Sequence, residues 1–239
     1  MEDKYLEPTP IIDSDHDIVI DYAIKAIGPS KKPVEQAVKI YYAVRDDIWY
    51  DPYYPFYLPK HYRASNVLKS GRGYCVSKAA LLCALGRALK IPSRLNFFDV
   101  QNHLATKQLI EFYGSDLFIF HGLTEFYLNG KWVKATPAFN ARLCKIHAVD
   151  PLEFNGREDS IFQLFNLDNQ LYMEYIAERG TYTDVPVDEI VAAWELEYGK
   201  DRVQSWIKMF EQSGENSLRD FAKEEVWKGQ HKKLNKKAE

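Results

Sequence analysis

The 239-residue sequence has little cysteine, little net charge and no long apolar run. Its three cysteines are too few and too unevenly spaced for a disulfide framework, and no Cys or His pair has the spacing of zinc ligands. A formal net charge of -3 provides no broad attraction to phosphate backbones. No apolar segment approaches the roughly 20 residues of a membrane span. We therefore expect no metal, no nucleic-acid partner and no membrane anchor.

The composition is otherwise that of an ordinary folded protein. Hydrophobic residues make up 46% of the chain and charged residues 27%, and the aromatic content of 14% is high. Residues 1–10 are acidic and polar, whereas a secretory signal needs basic residues followed by an apolar core. Few cysteines and no such signal predict a reducing, cytoplasmic location. The sequence indicates no oligomeric state.

Helical patterns flank a central region with strand patterns. Apolar residues recur three or four apart in residues 33–48, as they do in amphipathic helices, and the sequence from 187 to about 227 is also expected to be helical. Asn129-Gly130, a strong hairpin-turn signal, separates the strand-like segments 119–128 and 131–135. The order of helices, then strands, then helices predicts an α+β fold with an antiparallel sheet rather than alternating βαβ units.

Cys75 stands between a glycine-rich run, residues 71–74, and a long apolar stretch, residues 76–89. This pattern predicts a thiol at the start of a buried helix. Unpaired helix N–H groups stabilise an anion there and lower a cysteine pKa from about 8.5 toward neutrality, which favours a nucleophilic thiolate. The alternative is a small apolar residue at a helix start, and Cys83 and Cys144 are expected to be core residues of that kind.

The hairpin would bring a histidine and two candidate partners to one face. A two-residue turn places Glu125 opposite Lys134 and Tyr127 opposite Trp132, both favourable cross-strand pairs.

In the same register His121, Thr136 and Asn140 share a face, unless Pro137 ends the pairing before Asn140. A hydrogen bond between one ring nitrogen and Thr136 or Asn140 would fix the imidazole tautomer and leave the other nitrogen for the thiol.

Residues 81–94, Leu-Leu-Cys-Ala-Leu-Gly-Arg-Ala-Leu-Lys-Ile-Pro-Ser-Arg, together with Cys75, His121 and Trp132-Val133, resemble the transglutaminase-like cysteine-enzyme superfamily. The resemblance covers about residues 34–140. It implies a papain-like core in which a helix cysteine, a strand histidine and an aspartate on the next strand form a triad. Thr136 stands where the family usually has the aspartate. Papain-type enzymes use asparagine in that role, so Asn140 is the preferred third member and Thr136 the alternative.

The resemblance implies acyl transfer through a thioester. Cys75 would attack an amide carbonyl, His121 would return a proton to the leaving amine, and Asn140 would hold the ring. Hydrolysis of a peptide, protein or small amide substrate is favoured, without a cofactor. Three alternatives stay open: transamidation, an inactive domain that binds peptide or glycan, and a structural or regulatory role that rests on residues 154–239.

The domain organisation follows from the same resemblance. Residues 1–150 are expected to form the transglutaminase-like catalytic core, with a helical N-terminal half packed on the antiparallel sheet. Residues 151–239 are expected to be an extension of strands and then helices, packed on the core within a single domain.

Overall fold

The computed structural model describes residues 3–166, 168–213 and 219–224. In these residues the α-helices are α1 (Asp17–Ile27), α2 (Pro33–Asp47), α3 (Ala64–Ser70), α4 (Cys75–Ala88), α5 (Lys107–Tyr113), α6 (Ala141–Ile146), α7 (Val187–Tyr198) and α8 (Lys200–Ser213). The strands in the same residues are β1 (Trp49–Tyr50), β2 (Arg72–Gly73), β3 (Ser93–Asn102), β4 (Leu117–Leu128), β5 (Lys131–Ala135) and β6 (Met173–Tyr182).

A four-stranded sheet in the order β5-β4-β3-β6 lies at the centre of the fold, and all of its pairs are antiparallel. Helix α4 packs on β3 and β4, and α1, α2 and α3 pack on α4. Every residue of α4 from 76 to 87 is buried. The mostly apolar sequence of this helix explains why it lies at the centre of the fold. The short β1 and β2 form a separate parallel pair. The predicted α+β fold, with a helical N-terminal half on an antiparallel sheet, is confirmed.

The hairpin of β4 and β5 has the predicted register, with Glu125 opposite Lys134. Asn129 and Gly130 have φ values of 51° and 87°, as a tight hairpin turn requires. The expected ion pair across the hairpin does not form, because the Glu125 carboxylate binds Arg94 on β3 instead. A guanidinium on the neighbouring strand therefore replaces the lysine as the partner of this buried carboxylate.

The described residues after 150 add one strand to the sheet and two helices beside it. Strand β6 pairs with β3, from Leu95–Tyr182 at one end to Asn102–Met173 at the other. Helix α7 contributes Trp194 and helix α8 contributes Trp206, and both rings pack against Phe56. The predicted helical extension is confirmed as far as Ser213, whereas the expected continuation to about residue 227 falls partly outside the described residues. The division of the chain at residue 150 stays a prediction.

None of the helices in the described ranges has both the length and the apolar character needed to cross a membrane. Within the same ranges, no three His, Cys, Asp or Glu side chains come together as a metal site would require. Cys83 and Cys144 are buried core residues, as predicted.

Candidate active site

Helix α4 begins at Cys75, directly after a tightly held turn. Gly71 ends α3 in the left-handed region, with a φ of 65°. Tyr74 precedes α4 in an extended conformation, and its buried phenol oxygen lies 2.6 Å from that of Tyr62. The turn at Gly71 and the contact between Tyr62 and Tyr74 therefore fix the backbone directly before Cys75. The Cys75 side chain is partly exposed, whereas the helix residues that follow it are buried.

His121 follows a bulge in β4. The pairing of β3 with β4 shifts next to the Phe98–His121 pair. Phe120, inside this shift, has a φ of 55°, and its N–H donates to Asp99 Oδ1 at 3.1 Å. Arg179 of β6 holds the same Asp99 oxygen at 2.6 Å. A positive φ outside glycine costs about 1 kcal/mol or more, so this ion pair supports a strained turn of the strand just before the histidine.

Gly122 brings β4 into direct contact with the start of α4. A Cβ atom at this position would lie 3.1 Å from Val76 Cα and 3.1 Å from Phe97 Cε1, so no larger residue fits without movement. The N–H groups of Gly122, Val76 and Cys75 all face the Cys75 sulfur. The residue next to His121 therefore touches the thiol, and two separate parts of the chain meet at one sulfur atom.

Cys75 and His121 line the same pocket. Aromatic residues form much of its wall, including Tyr50, Tyr74, Tyr113, Phe162, Trp194 and Phe221. The free space that remains is about 40 Å³, which is room for about two or three water molecules. The two candidate catalytic groups therefore share a pocket that is nearly closed and mostly apolar.

Burial sets the protonation states of both groups. It raises the pKa of the Cys75 thiol to about 11, although the three N–H groups that face the sulfur oppose this shift. It lowers the pKa of the His121 imidazole to about 3. At neutral pH the pocket therefore holds a neutral thiol and a neutral imidazole. The sequence predicted a thiolate from the helix start alone, and the structure differs because desolvation by the aromatic wall outweighs the helix N–H groups.

The His121 ring is positioned by packing. Its centroid lies 5.0 Å from that of Phe162, with an angle of 47° between the two planes. Its Nε2 atom is buried and has no hydrogen-bond partner among the described residues. An unpartnered buried nitrogen costs free energy, and at a functional site it is available to accept a proton.

Asn140 was predicted to orient this ring, but its hydrogen bonds go elsewhere. Its Nδ2 donates to the carbonyl oxygens of Arg45 at 2.6 Å and Ile48 at 2.8 Å, and its Oδ1 accepts the Tyr50 N–H at 2.8 Å. Lys78 of α4 donates to the same two carbonyls, at 3.0 and 2.7 Å. Asn140 therefore links the end of α2 to the start of β1, and these hydrogen bonds do not support a role in a triad.

Replacement of Asn140 by alanine should reduce stability rather than catalysis. It would leave the Tyr50 N–H unpaired in the core and remove two donors from buried carbonyls, which should cost about 3 kcal/mol or more. Urea denaturation measures the loss, and Asn155→Ala, at an exposed asparagine, should cost about 1 kcal/mol or less. A large drop in Cys75 reactivity with unchanged stability would instead assign Asn140 to the triad.

Thr136, the alternative third member, lies just beyond the end of β5. Its N–H donates to the Ser160 carbonyl at 3.1 Å, and its carbonyl accepts the Tyr41 hydroxyl at 3.1 Å. Its own hydroxyl is buried and has no well-formed hydrogen bond in the described part of the chain, although it lies beside the Tyr175 phenol. Burial raises the pKa of that phenol to about 12, and Thr136 opposes the shift only in part. No hydrogen bond joins it to His121 among these residues.

Sequence reasoning missed three residues of the site. Gly122 provides an N–H to the sulfur, and a glycine directly after the histidine inside a strand was a readable sign of close backbone approach. Phe162 packs on His121, and Phe221 closes the pocket. Both come from the region after residue 150, where no sequence pattern connects them to Cys75.

Comparison with known proteins gives one family match. Residues 20–137 match the model of the transglutaminase-like superfamily, a range that includes Cys75, His121 and Thr136 but not Asn140. No curated protein matches the sequence. Among solved structures, a proposed cysteine protease from Cytophaga hutchinsonii is similar, with 18% identity over 77% of this chain and a TM-score of 0.45. The chain covers 48% of that protein, or about half of its length. Through residues 20–137, the chain belongs to the transglutaminase-like superfamily.

Proposed function

We propose that the chain catalyses acyl transfer through a thioester on Cys75, with water as the final acceptor. The reaction is then the hydrolysis of an amide bond. The observation that carries this proposal is the meeting of Cys75 and His121 in one pocket, with three backbone N–H groups facing the sulfur. A nucleophile, a free base and preorganised N–H donors are the parts that acyl transfer needs.

The protonation states favour a mechanism in which the proton moves during the attack. As the sulfur bonds to the carbonyl carbon, the imidazole of His121 accepts the thiol proton, and N–H groups at the start of α4 stabilise the oxyanion. The imidazolium then gives that proton to the leaving amine, and the C–N bond breaks. Water attacks the thioester with His121 again as base, which releases the acid and restores the thiol. A preformed thiolate is not required.

The competing proposal is an inactive domain that keeps the pocket for binding. It is favoured by Thr136 at the position of the family aspartate, and by the absence of a hydrogen bond between the His121 ring and the side chain of Thr136 or Asn140 among the described residues. In that case the Cys75 thiol would form no acyl intermediate. Chemical trapping of the intermediate separates the two proposals.

Incubation with p-nitrophenyl acetate should acetylate Cys75, as detected by intact mass and peptide mapping, with a burst of p-nitrophenol. Cys75→Ser should remove the thioester adduct. Cys144→Ser, at a buried cysteine outside the pocket, should leave labelling of Cys75 unchanged. Failure of the wild-type chain to form any adduct on Cys75 would favour the binding domain and overturn the enzymatic proposal.

A further inference from the structure

Residues 219–224 lie against the pocket and place an aromatic side chain in it. Phe221 is 6% exposed and lines the same pocket as Cys75 and His121. Its ring lies 5.8 Å from that of Tyr50 and 4.9 Å from that of His147. A segment from the far end of the described chain thus fills apolar space beside the candidate nucleophile.

The carboxylate of Glu224 anchors the same segment through two hydroxyl groups. Tyr53 Oη donates to Oε1 at 2.7 Å, and Thr106 Oγ1 donates to Oε2 at 2.6 Å. Hydrogen bonds to a charged acceptor are stronger than neutral ones. Each carboxylate oxygen therefore has a partner of its own, so this end of the segment is specifically held.

The two donors are held by their own surroundings. Tyr53 and Thr106 are buried, and the Thr106 oxygen also accepts the N–H of Leu109 at 3.0 Å. The Tyr53 N–H donates to Asp51 Oδ1 at 2.9 Å. At the other end of the segment, the Arg219 guanidinium lies 5.3 Å from the Tyr53 ring. Tyr53 and Thr106 thus form a preorganised surface for Arg219 and Glu224, and the pocket holds Phe221, which lies between these two residues in the sequence.

We propose that residues 219–224 occupy the substrate groove, and that the site takes peptides with an aromatic residue in the Cys75 pocket and a carboxylate three residues later. The reaction of such a peptide rests on the proposed function, whereas its binding does not. The free space of about 40 Å³ cannot hold a peptide side chain beside Phe221, so an incoming peptide must displace the segment. Since the segment is tethered, it competes at a high effective concentration.

Fluorescence anisotropy with a labelled hexapeptide of the sequence of residues 219–224, Arg-Asp-Phe-Ala-Lys-Glu, tests this inference on the full chain. The double variant Phe221→Ala, Glu224→Gln vacates the groove and should bind the peptide at least about tenfold more tightly than the wild type. A peptide with alanine in place of phenylalanine, or glutamine in place of glutamate, should bind at least about tenfold more weakly. Phe165→Ala, at a half-exposed phenylalanine outside the pocket, should behave as wild type.

The single variant Glu224→Gln guards against misfolding of the double variant, because it changes only the carboxylate of the segment and leaves the Tyr53 and Thr106 hydroxyls free to bind the peptide. It should raise peptide affinity above that of the wild type less than the double variant does, with an unchanged circular dichroism spectrum. Equal binding of the alanine peptide and the parent peptide, or no binding to the double variant and to Glu224→Gln, overturns the inference.

Peptide binding and acylation of Cys75 are independent measurements, so the groove and the proposed function can fail separately. Adding Cys75→Ala to the double variant should leave peptide binding in place, because binding needs no chemistry. Peptide binding without any Cys75 adduct supports the groove and contradicts acyl transfer. A Cys75 adduct with p-nitrophenyl acetate, together with no peptide binding, supports acyl transfer and overturns the groove.

Discussion

Replacement of His121 by glutamine should slow the acetylation of Cys75 by p-nitrophenyl acetate by about 10²–10⁴-fold. The pKa of the thiol is raised to about 11, so at neutral pH very little thiolate exists and a base must take the proton as the sulfur attacks. Within the pocket His121 has the unpartnered nitrogen for this step, and the pKa of about 3 keeps it neutral throughout the physiological range. Glutamine is similar in length but accepts a proton only at very low pH.

Alkylation of the same thiol provides the control for this variant. Iodoacetamide reacts with the thiolate formed in the pH equilibrium, and burial rather than His121 governs that equilibrium here. The alkylation rate of Cys75 at pH 9 should therefore change by less than about threefold in His121→Gln, while acetylation falls. Equal losses in both reactions would mean that the variant disturbs the pocket, and no loss in acetylation would remove His121 from the mechanism.

The burial of His121 should also make the fold sensitive to acid. The pKa of the imidazole is about 3 in the folded chain and about 6.5 when unfolded, so the unfolded chain binds more protons between these values. Stability is then unaffected by this group above pH 6.5 and is lost as the pH falls toward 3. The contribution amounts to about 3 kcal/mol by pH 4.5 and grows further below it.

Urea denaturation at pH 7 and pH 4.5 measures this contribution as a difference between proteins, which removes the effect of the carboxylates common to all of them. His121→Gln should lose about 3 kcal/mol less than the wild type between the two pH values. Cys75→Ala, which retains the buried imidazole, should lose as much as the wild type. An identical pH dependence in wild type and His121→Gln would show that the ring is solvated in the folded protein.

The hairpin and the central helix could be predicted because the information is local. Asn129-Gly130 forces a turn that sets the pairing of β4 with β5. The apolar run after Cys75 makes α4 the buried helix that the sheet covers. In both places neighbouring residues alone decide the structure, and the sequence predicts it correctly.

The orientation of Asn140 could not be predicted, because it depends on where the strand ends. Strict alternation put this residue on the face of His121, but β5 stops at Ala135 and Pro137 follows. Asn140 then precedes α6, with a φ of -65° and a ψ of 144°, and its side chain turns toward the end of α2. Asn140 lies five residues beyond the end of β5, and the alternation on which the prediction rested does not continue that far.

The prediction that Cys75 is a thiolate was wrong for a different reason. A helix start favours a thiolate locally, but the desolvation that opposes it comes from aromatic residues far away in the sequence, such as Trp194 and Phe221. The proposed substrate groove was missed for the same reason, because Tyr53 and Thr106 lie far from Glu224 in the sequence and nothing near Glu224 indicates that they bind it. Burial and long-range contacts of this kind become readable only in three dimensions.

Cys75 and His121 lie in one mostly apolar pocket as a neutral thiol and a neutral imidazole. The pH dependence of iodoacetamide alkylation measures this protonation state, with peptide mapping to separate Cys75 from the other two cysteines. We predict a rate that rises about tenfold per pH unit from pH 6 to pH 10 without reaching a plateau. A plateau already reached below pH 8, and lost in His121→Gln, would reveal a thiolate–imidazolium pair instead.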